Sequence, residues 1–185
     1  MVEAPGDAEL LDRAASGDSA AFASLYEVYH HAVFGFAFRF TRSASAAEDI
    51  TQDAFVSLLL GARRFRPECG SLGNWLLGIA RNIALKKIRK LRPETPLDSD
   101  AEMRAEMPSP LAELLSDELG AAVEAAIGSL PLLQREALIL FEYENLSLAA
   151  IAEITKADLA AVKSRLHRAR ERLRILLAPL KRGNE

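Results

Sequence analysis

Cysteine is all but missing from this chain: Cys69 is the single one among 185 residues. That excludes an internal disulfide and any cysteine-based zinc site. No apolar run approaches the roughly 20 residues that a membrane-spanning helix needs. The N-terminal stretch MVEAPGDAELLDRAASGD has neither the basic start nor the apolar stretch of a secretory signal. The expectation is a cytoplasmic protein that does not itself span a membrane and holds no structural metal. Histidine is scarce too. His167 has no His, Cys or carboxylate cluster at ligand spacing, and His30 and His31 lie far away in sequence, so all three read as surface positions. Nor is there a nucleophile–base pair, a phosphate-binding glycine loop or a metal cluster. The sequence therefore argues against an enzyme, and it implies no cofactor.

What the chain does have is helical patterning and segregated charge. Half of its residues are hydrophobic, enough to pack cores, and the net charge is −3. That average hides three blocks. Arg81 to Arg92 holds six basic residues and no acid, Pro93 to Glu124 holds nine acids against the single Arg104, and Lys163 to Arg182 holds eight basic residues against Glu171. A mildly acidic protein does not coat nucleic acid indiscriminately, but two basic blocks on either side of an acidic one can each meet it locally.

Phe22, Leu25, Tyr26, Tyr29, Val33, Phe36, Ala37 and Phe40 recur at steps of three and four, which predicts one long helix with a broad apolar stripe. Ser19 is the expected N-cap after the Gly17-Asp18 break. Ser45-Ala46-Ala47-Glu48 fits a capping box for a second helix running to about Arg63. The breaker segment from Arg66 to Gly73 predicts a loop, and helical spacing returns from Trp75 to Lys90. Pro93, Pro96, Pro108 and Pro110 stand among acids and small polar residues, a composition that cannot offset its ordering entropy. Residues 93–115 are therefore read as a linker, with helical patterning resuming near Leu111. Four more helical pieces follow, at about 117–128, 131–143, 147–154 and 158–178. The predicted fold class is all-α: two small helical domains, 7–92 and 116–180, joined by a flexible acidic linker, the C-terminal one a helix-turn-helix.

The last helix carries Val162, Leu166, Ala169, Leu173, Leu176 and Leu180 on one side. Ser164, His167, Arg168 and Glu171 then point away from the core, with Lys163 and Arg174 beside them. A basic face is common on surface helices. On the second helix of a helix-turn-helix, it is what reading base edges and phosphates requires.

Four strings in order, AEDITQDAF, WLLGIARNIALKKIRK, SLPLLQREALILFEYENLSLAAIAEIT and AVKSRLHRARERLR, resemble the extracytoplasmic-function group of the sigma-70 family of RNA polymerase sigma factors. The resemblance runs from about Glu9 to Leu177, apart from the linker. It implies a sigma factor that directs core polymerase to promoters and assists melting, with domain 7–92 as region 2 and 116–180 as region 4. By that resemblance Asp49, Gln52 and Asp53, at i, i+3, i+4, face the polymerase beta-prime clamp, although an acidic patch near a helix N-terminus is also what the macrodipole favours. The segment from Phe65 to Gly73 and the helix after it resemble the reader of the melted minus-ten element. There Asn82 offers donor and acceptor to a base edge, while Lys86, Arg89 and Lys90 on the same face suit a phosphate track. Phe65 is the aromatic expected to stack, and Trp75 is read as a core anchor. Lys163, Ser164, His167 and Arg168 fall where the family meets the minus-thirty-five duplex.

The implied partners are core RNA polymerase, through its beta-prime clamp and beta flap, promoter DNA and an anti-sigma factor. The chain departs from the family at Ser147-Leu148-Ala149-Ala150, which lacks the usual carboxylate, and at Ala160-Ala161. It also departs in the turn Thr155-Lys156-Ala157-Asp158, which lacks the usual glycine. The competing reading is a stand-alone helix-turn-helix regulator, which would need a dimer surface or a sensing domain in place of the helical front half.

Overall fold

The computed structural model describes residues 6–91 and 118–178. The expected linker 93–115, the patterning over 111–117 and Leu180 lie outside them. Among the described residues every regular element is helical. The first half comprises α1 (Asp7–Ala15), α2 (Ser19–Thr41), α3 (Ala44–Gly61) and α4 (Leu72–Leu91), with short 3-10 turns at Ala62–Arg64 and Pro67–Cys69. The second comprises α5 (Glu118–Gly128), α6 (Leu132–Leu138) widening into a π turn (Ile139–Tyr143), α7 (Leu148–Thr155) and α8 (Leu159–Leu176).

Local chemistry sets the helix starts, and it corrects two expected caps. Asp18, not Ser19, caps α2: its carboxylate accepts from the Ala20 and Ala21 amides at 3.0 and 3.1 Å. The Ala21 amide and then Arg13 hold that carboxyl below its usual range, as expected where donors favour the charged form. At the other end of α2, Arg42 turns left-handed (φ 63°) and leaves Ser43 extended, so the Ser43 hydroxyl accepts from the Ala46 amide. Ser45 and Glu48 therefore lie inside α3, and the expected capping box does not form. The breaker segment is also shorter than a loop from 66 to 73. Pro67, with its preset φ, opens a 3-10 turn, Gly70 takes φ 138°, and α4 begins at Leu72 with the Ser71 hydroxyl accepting from the Asn74 amide at 3.2 Å.

In the first half, α2, α3 and α4 close on a core of Leu25, Phe36, Phe40, Ile50, Leu58 and Leu76, all fully buried. The expected stripe on α2 is largely the buried one, although Tyr26 stays exposed. α1 is tied across α2 by the Tyr29 hydroxyl donating to Asp7 at 2.5 Å. The second half has a small core of its own in Ile127, Leu130, Leu138, Leu166 and Ala169. Five more of its buried apolar groups, Leu132, Ile139, Leu140, Ile151 and Val162, join the core of the first half. The two halves are thus packed together.

The seam between them is chemically specific. Arg135 of α6 is completely buried. It donates to the Phe40 carbonyl at the end of α2 (3.1 Å), to Leu130 (3.0 Å) and to Gly128. These are carbonyls at or just beyond helix C-termini, which lack intrahelical donors and carry the negative end of the dipole. Burial, and then the nearby Arg42 charge, lowers the Arg135 pKa to about 10, so it remains a cation at neutral pH. Around it, Arg81 of α4 meets the buried Glu136 of α6 at 2.6 Å. Arg42 donates to the Glu124 carbonyl. Arg39 lies 3.5 Å from the Glu124 carboxylate and 4.0 Å over the Tyr143 ring.

Two outcomes follow. Arg135→Met should orphan three carbonyls, at ~1 kcal/mol or more each, and lower the urea-unfolding free energy by about 3 kcal/mol. Glu144, beside this seam, has its carboxyl pushed up to about 7 by burial, with Arg39 pulling the other way. Such a group favours the folded state most below its unfolded pKa, and that contribution is lost as pH rises through about 7. The melting temperature should therefore fall from pH 5 to pH 8 by more in the natural chain than in Glu144→Gln.

Candidate nucleic-acid and polymerase interface

The helix-turn-helix is built by small caps. The Ser147 hydroxyl accepts from the Ala150 amide at 3.1 Å to start α7, and the Asp158 carboxylate accepts from Ala161 at 2.6 Å to start α8. The turn between them forms without glycine because Lys156 adopts φ 53°, ψ 38°, at an expense on the order of 1 kcal/mol. On α8, Val162, Leu166 and Ala169 are buried, which turns Lys163, His167 and Arg168 outward. Ser164 is half-buried rather than fully outward, and Leu176 is exposed at the far end. Arg170 and Arg174 are engaged by Glu142 (2.7 Å) and Glu171 (2.9 Å), while Lys163 and Arg168 are exposed.

A second surface runs along α4. Asn82, Lys86, Arg89 and Lys90 are all exposed, as their spacing requires. At its N-terminal end lies a cavity of about 410 Å³ whose lining includes Arg64, Phe65, Arg66, Trp75 and Asn82. Phe65 and Trp75 pack with ring centroids 5.5 Å apart. Trp75, expected to be a core anchor, is only half-buried. Its ring leans on the backbone of Gly61, where an added Cβ would sit 3.4 Å away. The cavity thus has two aromatic walls where the sequence offered one, together with arginines at 64 and 66 that sequence reasoning passed over. Helical periodicity could not reveal this, because Phe65 lies in irregular chain.

The third surface is the outer side of α3. Asp49, Gln52 and Asp53 are exposed together, and the same side continues into two exposed apolar residues, Val56 and Leu60 (56% and 86% exposed). Asp49 also reaches Lys87 of α4 at 2.9 Å. Exposed aliphatic groups rimmed by polar ones are the pattern of an interaction surface. Stepping on by three or four from Asp49 would have found both apolar residues. His30, expected at the surface, is half-buried between Tyr26 (4.6 Å) and Phe34 (6.0 Å) in a ladder along α2, while His31 is exposed. Cys69 is exposed. No group of acids, histidines and cysteine suited to a metal occurs among the described residues, and no described helix is long and apolar enough to cross a membrane.

Two family models match the chain: Sigma-70 region 2 over residues 25–94 and Sigma-70, region 4 over residues 120–173. The RNA polymerase sigma-H factor of Pseudomonas aeruginosa is 34% identical, the match covering 98% of this chain and 99% of that one. The sigma factor SigW of Bacillus subtilis is 30% identical over 89% of this chain and 92% of its own. Among solved structures, the sigma factor RpoE of Bartonella quintana, in complex with the anti-sigma factor NepR, superposes with a TM-score of 0.66 at 27% identity, covering 85% of this chain and 96% of that one. CnrH in complex with the cytosolic domain of CnrY shares the fold (TM-score 0.69, 24% identity, 94% and 97% covered). With both regions matched in order and relatives similar over nearly their whole length, the chain belongs to the extracytoplasmic-function group of the sigma-70 family, the subunits that give RNA polymerase its promoter specificity.

Proposed function

We propose that the three surfaces divide the work of promoter recognition. The outward side of α3, Asp49, Gln52 and Asp53 with Val56 and Leu60, docks on the beta-prime clamp of the core polymerase. The α4 surface takes the melted minus-ten strand: Phe65 and Trp75 stack an unpaired base, Asn82 hydrogen-bonds its edge, and Lys86, Arg89 and Lys90 track the phosphates. α8 enters the major groove of the minus-thirty-five duplex with Lys163, Ser164, His167 and Arg168, while the second domain leans on the beta flap. The domains are taken as 7–92 and 116–180, joined by the acidic linker 93–115. Bond-forming chemistry belongs to the core enzyme in the cytoplasm, and this subunit contributes recognition alone.

The observation that carries this reading is the pairing, in one chain, of an exposed cationic recognition helix with an aromatic-walled cavity at the head of an exposed Asn–Lys–Arg–Lys stripe. A stand-alone regulator has no use for the second. An anti-sigma partner is proposed from the solved relatives, since the Bartonella sigma factor was captured with its anti-sigma factor.

Size-exclusion chromatography with core polymerase tests the docking face. The natural chain should co-elute and an Asp49→Ala/Gln52→Ala variant should not; co-elution of both would remove α3 from the interface. For α8, Arg168→Ala should weaken promoter-duplex binding by the holoenzyme about 5-fold or more, at ~1–3 kcal/mol per base contact, measured by filter binding. Lys163→Ala should weaken specific and nonspecific duplexes alike and flatten the salt dependence.

A further inference from the structure

The aromatic walls Phe65 and Trp75 are rooted in different pieces of chain, and α1 reaches both roots. One root is the head of α4. Gly73 is its second residue and is followed by Asn74 and Trp75, which line the cavity. The Tyr29 ring of α2 lies against the Gly73 backbone: a Cβ added there would stand 2.9 Å from Cε1 of that ring. The Tyr29 hydroxyl donates in turn to Asp7, the first residue of α1, at 2.5 Å. Burial, and then the Asp7 bond, push that hydroxyl above its usual range, so it stays a donor at any physiological pH. The other root is the 3-10 turn Ala62–Arg64. α1 lies against this turn, and the chain runs from it straight into Phe65.

α1 is itself well anchored. Leu11 and Ala14 are buried in the core of the first half, and Arg13 pairs with Asp18 at 2.8 Å across the connection to α2. Asp7 stands one turn before Leu11 on the same side, so burying Leu11 aims Asp7 at α2. Neither Asp7 nor Tyr29 lines the cavity; whatever they do for a bound base, they do through Gly73. Two aromatic walls grip a base only at a set gap, and binding groups must be held to within about 0.5 Å by the shell behind them.

We propose, resting on the strand-reading role of the α4 surface, that Tyr29 and Asp7 are positioning residues for the melted minus-ten strand. The Asp7–Tyr29–Gly73 clasp fixes the head of α4, and with α1 against the turn before Phe65 it sets the gap between the two aromatic walls. Its contacts belong to α1, α2 and α4, so docking on core polymerase and binding of the minus-thirty-five duplex do not depend on it.

Holoenzyme assembled from core polymerase and full-length chains tests this with two DNAs. One is a promoter whose minus-ten region is left unpaired by a non-complementary strand; the other is a duplex that ends upstream of that region. Tyr29→Phe keeps the ring on Gly73 but removes the hydroxyl tie, and Asp7→Ala removes its acceptor. Each should weaken binding of the unpaired promoter about 3- to 5-fold, the size of one hydrogen bond, and leave the upstream duplex and core co-elution unchanged. Asp7→Asn keeps an acceptor oxygen and should restore binding. Gly73→Ala favours α4 by propensity, yet should weaken the unpaired promoter more than Tyr29→Phe does, because its methyl meets a ring tied at the far end. Trp75 is the single tryptophan, so acrylamide quenching of the free full-length chain reports the head of α4 directly. Quenching should rise in Tyr29→Phe and Asp7→Ala but not in Asp7→Asn. Phe36→Leu, a core change farther along α2, should lower the melting temperature without either effect. Unchanged binding and quenching in Tyr29→Phe, loss of both DNAs together, the same loss in Phe36→Leu, or an Asp7→Asn that behaves like Asp7→Ala would each overturn the clasp. If Phe65→Ala/Asn82→Ala binds the unpaired promoter as the natural chain does, the strand-reading role of α4 fails and the clasp with it. If that variant loses binding and Tyr29→Phe does not, the clasp alone fails.

Discussion

The packing of this molecule depends on one buried cation without a carboxylate partner. Arg135 sits at the meeting point of α2 and the end of α5 and is answered only by main-chain carbonyls, those of Phe40, Gly128 and Leu130. A helix end leaves such carbonyls unpaired, and a guanidinium has enough donors to serve several at once. This arrangement satisfies the end of a first-half helix with a second-half side chain. With it, α6 lies against the end of α2, Glu136 meets Arg81, and Glu124 meets Arg39 and Arg42. Gly128 belongs to the same constraint, because a Cβ there would run into the Arg42 guanidinium.

The seam also explains how a mildly acidic chain keeps two cationic surfaces clear. Two acids of the second half are turned to the first half, Glu136 to Arg81 and Glu124 to Arg39, while Glu142 pairs with Arg170 of α8 itself. Lys163 and Arg168 on α8 and Lys86, Arg89 and Lys90 on α4 stay exposed. A chain of net negative charge can therefore still carry locally cationic faces.

Much of this was legible beforehand. Periodicity located α2, α3 and α4 and the four second-half pieces to within a few residues, and it placed Asp49, Gln52 and Asp53, the Asn82 stripe and Lys163, His167 and Arg168 on exposed sides. It erred where the deciding atom lay outside the pattern. Asp18 and Ser43 displaced Ser19 and Ser45 as caps because hydroxyl or carboxylate reach depends on the backbone just before the helix. Ser164 turned out half-buried because the packed face of α8 is wider than its leucine line. Trp75 reads as core because a large apolar ring on a helix usually is; the cavity beside it is lined in part by Phe65, which lies in irregular chain that no helical period places.

The sequence by itself determined that the chain is helical, that it carries two basic blocks whose residues recur at helical spacing, and that it is a sigma factor of this group. Those properties rest on neighbours three or four residues apart and on ordered motifs. Only the tertiary structure decided that the two halves close on each other and that an arginine beside Asn82 fastens them. The groups responsible, Phe40 with Arg135 and Arg81 with Glu136, are 95 and 55 residues apart, and no local period couples them. Their pairing follows from which helix ends and charges remain unsatisfied once each half has buried its own apolar face.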